Sequence, residues 1–156
     1  MQIRLLSVGK IKKEFLKQGE SDYIRRIQKY SPLKIDTIKE EKIVKGQKYN
    51  TIIEKEGERL IKKIPKRSWI ISLDKEGTLF SSEDFARLIS GIMNKGTAYL
   101  LFVIGGTLGL SSTIKNRSNT VVSLSRMTFT HEMTRLILLE QIYRSFTILK
   151  GEHYHK

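Results

Sequence analysis

Apolar residues recur along this chain in two alternating rhythms. Gln2 to Val8 gathers β-branched and leucine residues into a short block closed by Gly9, the pattern of a strand packed inside a sheet. From Glu14 to Tyr30, residues Phe15, Leu16, Tyr23, Ile24 and Ile27 fall at helical spacing with Lys17, Arg25, Arg26 and Lys29 between them. This predicts an amphipathic helix, with a break expected near Gly19 and an end at Pro32. Leu33 to Lys39 alternates in the period of a strand with one wetter face, which suits a place near a sheet edge. Residues 39–50 are charged, contain Gly46 and keep no period, as expected of a mobile loop.

Helical spacing returns at Ile53, Leu60, Ile61 and Ile64 and stops at Pro65. Trp69 to Leu73 predicts a third strand, followed by a turn at Glu76-Gly77. Ser81 stands three residues before Asp84, so its hydroxyl can cap a helix running from about Ser82 to Lys95, with Gly96 as the stop. Leu100 to Gly105 predicts strand four, Ser111 or Ser112 caps a short helix to about Arg117, and Thr120 to Ser125 predicts strand five. Last comes a helix from about Thr130 to Leu149, with Met133, Leu136, Ile137, Ile142, Tyr143 and Phe146 on its apolar face and Gly151 at its end. Strands alternating with helices imply one α/β domain over residues 1–156: a mostly parallel sheet with helices on both faces.

Composition narrows the partner and the chemistry. The 29 Lys and Arg exceed the 16 Asp and Glu, and a net charge of +13 on 156 residues favours a polyanion: RNA, DNA or an anionic membrane. No apolar run is long enough to span a bilayer and no leader pattern precedes the first strand, so a soluble, cytoplasmic protein is expected. Without cysteine, acid–base work falls to His, Tyr, Lys, Arg or carboxylates.

Three predicted strand ends share a character. The fourth strand stops abruptly at Gly105-Gly106, with Gly109 beyond, and glycines at the carboxyl end of a strand let a ligand approach the main chain. GGxxG is neither G-x-G-x-x-G nor a P-loop, and taken alone a tight strand-to-helix turn explains it better than a ligand loop. Trp69 to Leu73 ends beside it, and Leu124 to Phe129, LSRMTF, adds apolar and hydroxyl groups that suit a pocket for adenine and a thioether better than a phosphate site. On the last helix Glu140 and Arg144 are four apart, the spacing of an ordinary surface ion pair, and His131 near the helix start reads as a structural histidine. The tail GEHYHK is expected to fray; if ordered, Tyr154, His155 and Lys156 offer stacking, proton transfer and phosphate binding. His153 and His155 alone make a poor ligand set, so no metal is expected.

Taken together, LDKEG (Leu73 to Gly77), FVIGGxxGL (Phe102 to Leu110), SLSRMTFxHxMxR (Ser123 to Arg135), EQxYRxFxI (Glu140 to Ile148) and the terminal GExYHK resemble the SPOUT-class methyltransferases that modify N3 of a pseudouridine in 23S ribosomal RNA. The resemblance covers the whole chain. One departure is Thr130, where that family usually has proline before the helix histidine; threonine is itself a helix cap.

The resemblance implies an α/β-knot fold whose C-terminal part forms a trefoil knot, S-adenosylmethionine as methyl donor, a homodimer, and 23S rRNA in the assembled ribosome as partner rather than DNA or a membrane. The implied cofactor contacts are Leu73, Gly105, Leu124, Ser125, Arg126, Met127, Thr128 and Phe129. For catalysis it leads to Arg144, with Lys156, as the cation facing developing negative charge, His155 as base and Tyr154 as positioner. The alternative is a non-catalytic basic RNA-binding or ribosome-assembly protein, for which net charge alone suffices.

Overall fold

The computed structural model describes residues 1–155, with His155 described by its backbone alone; Lys156 and the side chain of His155, both assigned roles above, lie outside the described residues. Five strands, β1 (Gln2–Val8), β2 (Leu33–Ile38), β3 (Ser68–Leu79), β4 (Tyr99–Ile104) and β5 (Thr120–Ser123), form one sheet in the order β2-β1-β4-β3-β5. Every pairing is parallel, so all five carboxyl ends lie along one edge. The helices are α1 (Glu14–Ile27), α2 (Tyr49–Lys63), α3 (Ser82–Met93), α4 (Ser112–Arg117) and α5 (His131–Lys150).

Both faces of the sheet are buried, which is why its strands read as near-continuous apolar runs. On β4 the alternation is complete: Leu100, Phe102 and Ile104 join one core with Ile27 of α1, Phe85 and Ile89 of α3, and Leu138 and Ile142 of α5. Leu101 and Val103 point the other way, into a second core with Leu60 of α2 and Ile114 of α4. The expected edge position of the second strand is observed, with β2 outermost beside β1.

Helix ends follow the caps visible in the sequence. Ser81 Oγ accepts the Asp84 N–H at 3.0 Å, Ser111 Oγ accepts that of Ile114, and Thr130 Oγ1 accepts that of Met133 at 3.3 Å. Threonine thus starts α5 where the resembling family usually has proline. Gly151, at φ +69°, closes the same helix in the left-handed conformation.

Three expectations require correction. Gly19 does not break α1, because a Cβ there would lie 3.0 Å from Leu136 Cδ1; the glycine lets α1 and α5 approach closely. Glu76-Gly77 does not end β3, which continues to Leu79 through a register shift against β5 between Leu73 and Thr78. A Cβ on Gly77 would meet the carbonyl carbon of Val122 at 2.6 Å, so this glycine serves a bulged strand pressed onto its neighbour. The tail does not fray within the described residues: His153–His155 makes a turn of 3₁₀ helix that packs on α5.

One polar link crosses the larger core. Arg135 of α5 pairs with Glu20 of α1, both side chains nearly buried, and also donates to Ser7 Oγ on β1 at 3.2 Å. Removing one member of a buried pair strands the other charge away from water. Glu20→Ala is therefore expected to cost roughly 3 kcal/mol of stability, read from the urea midpoint. A loss under about 1 kcal/mol, the range of exposed pairs, would show that water reaches the guanidinium.

Candidate active site

A cleft of about 890 Å³ opens at the carboxyl edge of the sheet. Its floor is Leu73, where β3 reaches its register shift, and Ile104 at the end of β4; one wall is the turn Gly105 to Leu110, and the other is the segment from Val122 to Thr134 that leaves β5 and enters α5. Phe15 and Leu16 of α1 and Ile53 of α2 complete it. Of the residues assigned to the cofactor, Leu73, Gly105, Leu124, Ser125, Met127, Thr128 and Phe129 line this one cleft; Arg126 is exposed beside it and is absent from the lining.

The glycine turn is built by its own backbone. The Gly109 N–H donates to the Gly106 carbonyl at 3.0 Å, and Gly109 sits at φ +90°, a conformation few side chains tolerate. A Cβ on Gly105 would lie 2.5 Å from the carbonyl carbon and oxygen of Gly109. Gly105 is therefore required by the closure of the turn itself, whatever passes in front of it.

Two carboxylates that sequence reasoning missed brace this turn from behind. Buried Glu56 of α2 accepts the Glu41 N–H at 2.9 Å, and its other oxygen would be 2.9 Å from a Cβ on Gly106. Burial raises its carboxyl above the ordinary range. Glu40 accepts a hydrogen bond from Thr107 Oγ1 at 2.9 Å. The available signal was Ile52, Glu56 and Leu60 at spacings of four, a carboxylate set within the apolar stripe of a helix.

The opposite wall is ordered locally. Ser123 Oγ donates to the Ser125 carbonyl at 2.9 Å, and Ser125 Oγ accepts the Met127 N–H at 2.9 Å, turning the chain outward. Met127 and Phe129 are left 75% and 43% exposed, and Phe15 across the cleft 64%, a cluster of apolar side chains without cover at the rim. At the start of α5, Glu132 accepts the N–H groups of Lys12 and Lys13, which holds its carboxyl below the ordinary range. His131 lines the cleft and lies against Gly9, with Nε2 3.2 Å from where a Cβ there would stand.

The remaining assigned residues gather elsewhere. Arg144 pairs with Glu140 at 2.7 Å and stands over the Tyr154 ring, 5.0 Å from its centroid. The Tyr154 hydroxyl lies 3.3 Å from Glu140 Oε1 and 3.4 Å from that of Tyr23, and burial, followed by its bond with Tyr23, holds the phenol well above its usual pKa. Tyr143 packs edge-on against the same ring, at 4.7 Å between centroids. Glu140 and Arg144 do form the ordinary i,i+4 ion pair, and the pair also seats Tyr154. This cluster occupies the far end of α5: thirteen residues separate His131 from Arg144, a rise of about 20 Å along the helix axis. One chain thus brings together the assigned cofactor residues other than Arg126, and separately Arg144 with Tyr154, but does not bring the two groups to each other.

Comparison with known proteins agrees with this architecture. The family described as "Predicted SPOUT methyltransferase" matches residues 1–155. The chain is 42% identical to the ribosomal RNA large subunit methyltransferase H of Halothermothrix orenii over all of both chains. It is 44% identical to that of Geotalea uraniireducens over 99% of each. Among solved structures, a tRNA (m1G37) methyltransferase from Aquifex aeolicus superposes with a TM-score of 0.55 at 10% identity, over 92% of this chain and 70% of that one, a likeness of fold. The parallel sheet, the cleft at its carboxyl edge and the full-length relatives lead to one assignment: this chain belongs to the SPOUT methyltransferase family.

Proposed function

We propose that the protein transfers the methyl group of S-adenosylmethionine to N3 of a pseudouridine in 23S ribosomal RNA, acting in the cytoplasm on the assembled ribosome. The observation that carries the reading is the convergence of Leu73, Gly105, Leu124, Ser125 and Met127–Phe129 on one cleft, in a chain whose full-length relatives bear the name of large-subunit rRNA methyltransferases. A trefoil threading of the segment from β4 to α5, within one domain over residues 1–156, belongs to the same reading.

The cleft fits such a cofactor. Its volume of about 890 Å³ falls among small-molecule sites, and it combines apolar walls with main-chain groups of the glycine turn. Leu73, Gly105, Leu124 and Phe129 would flank the adenosine, with Ser125, Met127 and Thr128 closing over it and Arg126 at the rim. S-adenosylmethionine supplies an electrophilic methyl group on a sulfonium.

The protein's task is then to orient the base and stabilise charge. N3 becomes nucleophilic as its proton leaves and negative charge spreads to the flanking carbonyl oxygens. Arg144 is the cation for that charge: its bond to Glu140 keeps it protonated and fixes its direction. Tyr154, held as a neutral phenol, positions the base rather than taking a proton. His155 is the proposed base and Lys156 a second cation. Arg144 lies ten residues beyond Thr134, the last residue of α5 lining its own cleft, a rise of about 15 Å, so we infer that a second copy of the chain brings these groups, in a homodimer with composite sites. The exposed Phe15, Met127 and Phe129 offer apolar surface for it.

Incubation with methyl-labelled S-adenosylmethionine and ribosomes lacking the modification should label one pseudouridine of the large-subunit RNA, located by mass spectrometry. Cofactor binding in calorimetry with no label in any RNA would overturn the reading in favour of a non-catalytic RNA-binding or assembly protein.

A further inference from the structure

The connection from β2 to α2, residues 39–48, leaves the sheet on the same edge as the cleft; Glu40 and Glu41 at its base brace the glycine turn, while the rest of it does not line the cleft. Its charges are sorted. Both acidic residues turn inward: Glu40 accepts from Thr107 of the glycine turn, and Glu41 pairs with Arg59, which also donates to the Lys39 carbonyl at 3.1 Å. The basic residues face out. Lys39, Lys42, Lys45 and Lys48 are all exposed, and none joins an ion pair among the described residues.

The tip between these lysines is apolar. The Gln47 N–H donates to the Val44 carbonyl at 3.1 Å, and Gly46 takes φ +87°, so the tip is a formed turn. It presents Ile43 at 51% and Val44 at 58% exposure, and Tyr49 follows at 61%. Three large apolar side chains in water beside four lysines are costly on a solvated surface, and the combination fits a polyanion that also offers flat apolar faces.

We propose that this loop is an RNA-gripping element, with Lys42 and Lys45 on backbone phosphates and Ile43, Val44 and Tyr49 against unstacked bases of the substrate strand. The inference rests on the rRNA reading and deepens it. Charge complementarity selects the occupant: a second copy of the chain, at +13, would set like charges together across the loop, whereas RNA neutralises them. The base of the loop also fixes its position relative to the cleft. Glu40 holds Thr107 and the Glu41 N–H holds Glu56 behind Gly106, so a strand gripped at the tip lies at a set distance from the glycine turn.

The test compares the full-length protein with a Lys42→Ala/Lys45→Ala variant and an Ile43→Ser/Val44→Ser/Tyr49→Ala variant. Methyl transfer to unmodified ribosomes and the salt dependence of rRNA binding are read together, with S-adenosylmethionine affinity and thermal unfolding as measures of intact folding. The lysine variant should raise KM for ribosomes about tenfold and flatten the slope of log affinity against log salt by about two, one for each phosphate that a lysine no longer neutralises. In the apolar variant KM should rise about tenfold with the slope unchanged, since stacking carries no counterions. For both, kcat and cofactor affinity should stay within about twofold of wild type. Unchanged KM and slope in both variants would overturn the assignment. So would retention of the protein on phosphatidylglycerol vesicles that disappears in the apolar variant while rRNA binding persists, which would make the tip a membrane element. Absence of methyl transfer by the unsubstituted protein would instead refute the rRNA reading itself.

Discussion

Arg144→Ala is expected to lower kcat by about 10²- to 10³-fold, the cost of removing one preorganised charge from a transition state, with S-adenosylmethionine affinity unchanged. The separation of effects follows from geometry. Arg144 lies about 15 Å along α5 beyond Thr134, the last helix residue lining the cleft of its own chain, so its loss leaves every cofactor-lining residue in place. Its guanidinium is tied to Glu140 at 2.7 Å and lies over Tyr154, so the substitution also frees the tyrosine ring. Arg144→Lys keeps a charge but loses the planar fork that holds both partners, and should recover only part of the rate. The pair is partly solvated, with side-chain exposures of 26% and 18%, so the fold should survive with little change in melting temperature. A matched fall in cofactor affinity and rate would place Arg144 in the cofactor cleft and refute its proposed role.

Most of the fold is legible in the sequence because its determinants are local. Caps at Ser81, Ser111 and Thr130 and the glycine stop at Gly151 set helix ends from one or two residues. The burial of β4 on both faces is written directly in the unbroken apolar run YLLFVI. Two of the exceptions share a cause: a glycine looks alike in a turn, a helix break and a close approach of two elements. Gly19 and Gly77 resemble interruptions, yet each sits inside an element because Leu136 or the Val122 backbone occupies the space of its Cβ. No single-chain pattern shows that neighbour.

The same holds for the site. Leu73, Gly105 and Leu124–Phe129 can be grouped from the character of strand ends, since a parallel sheet brings all its carboxyl ends to one edge. Glu20, Glu56 and Glu132 cannot, because their partners are backbone groups or side chains far along the chain. Nor does sequence reveal that Arg144 stands ten residues along α5 beyond Thr134, the last helix residue that lines the cleft, which is the separation on which the proposed composite site rests.

Gly105→Val should weaken S-adenosylmethionine binding by about 100-fold, equivalent to the ~3 kcal/mol of a severe overpacking, because its Cβ would overlap the Gly109 carbonyl and force the turn open. Gly91→Ala, in open space on α3, should leave binding unchanged and serve as the control. Paired with Arg144→Ala, the same lesion decides whether the site is composite. Each variant alone should be inactive, one lacking the cleft and the other the cation. In a dimer with one chain of each kind, the intact cleft of the Arg144→Ala chain faces the intact Arg144 of its Gly105→Val partner. An equimolar mixture, exchanged by gentle denaturation and refolding, should therefore regain about a quarter of the wild-type rate, since half the dimers are mixed and each carries one complete site. If a chain completed its own site, no mixed dimer would contain a working one and the mixture would stay inactive. Recovered activity would show that the methyl donor is held by one chain and the charge-stabilising arginine is supplied by the other.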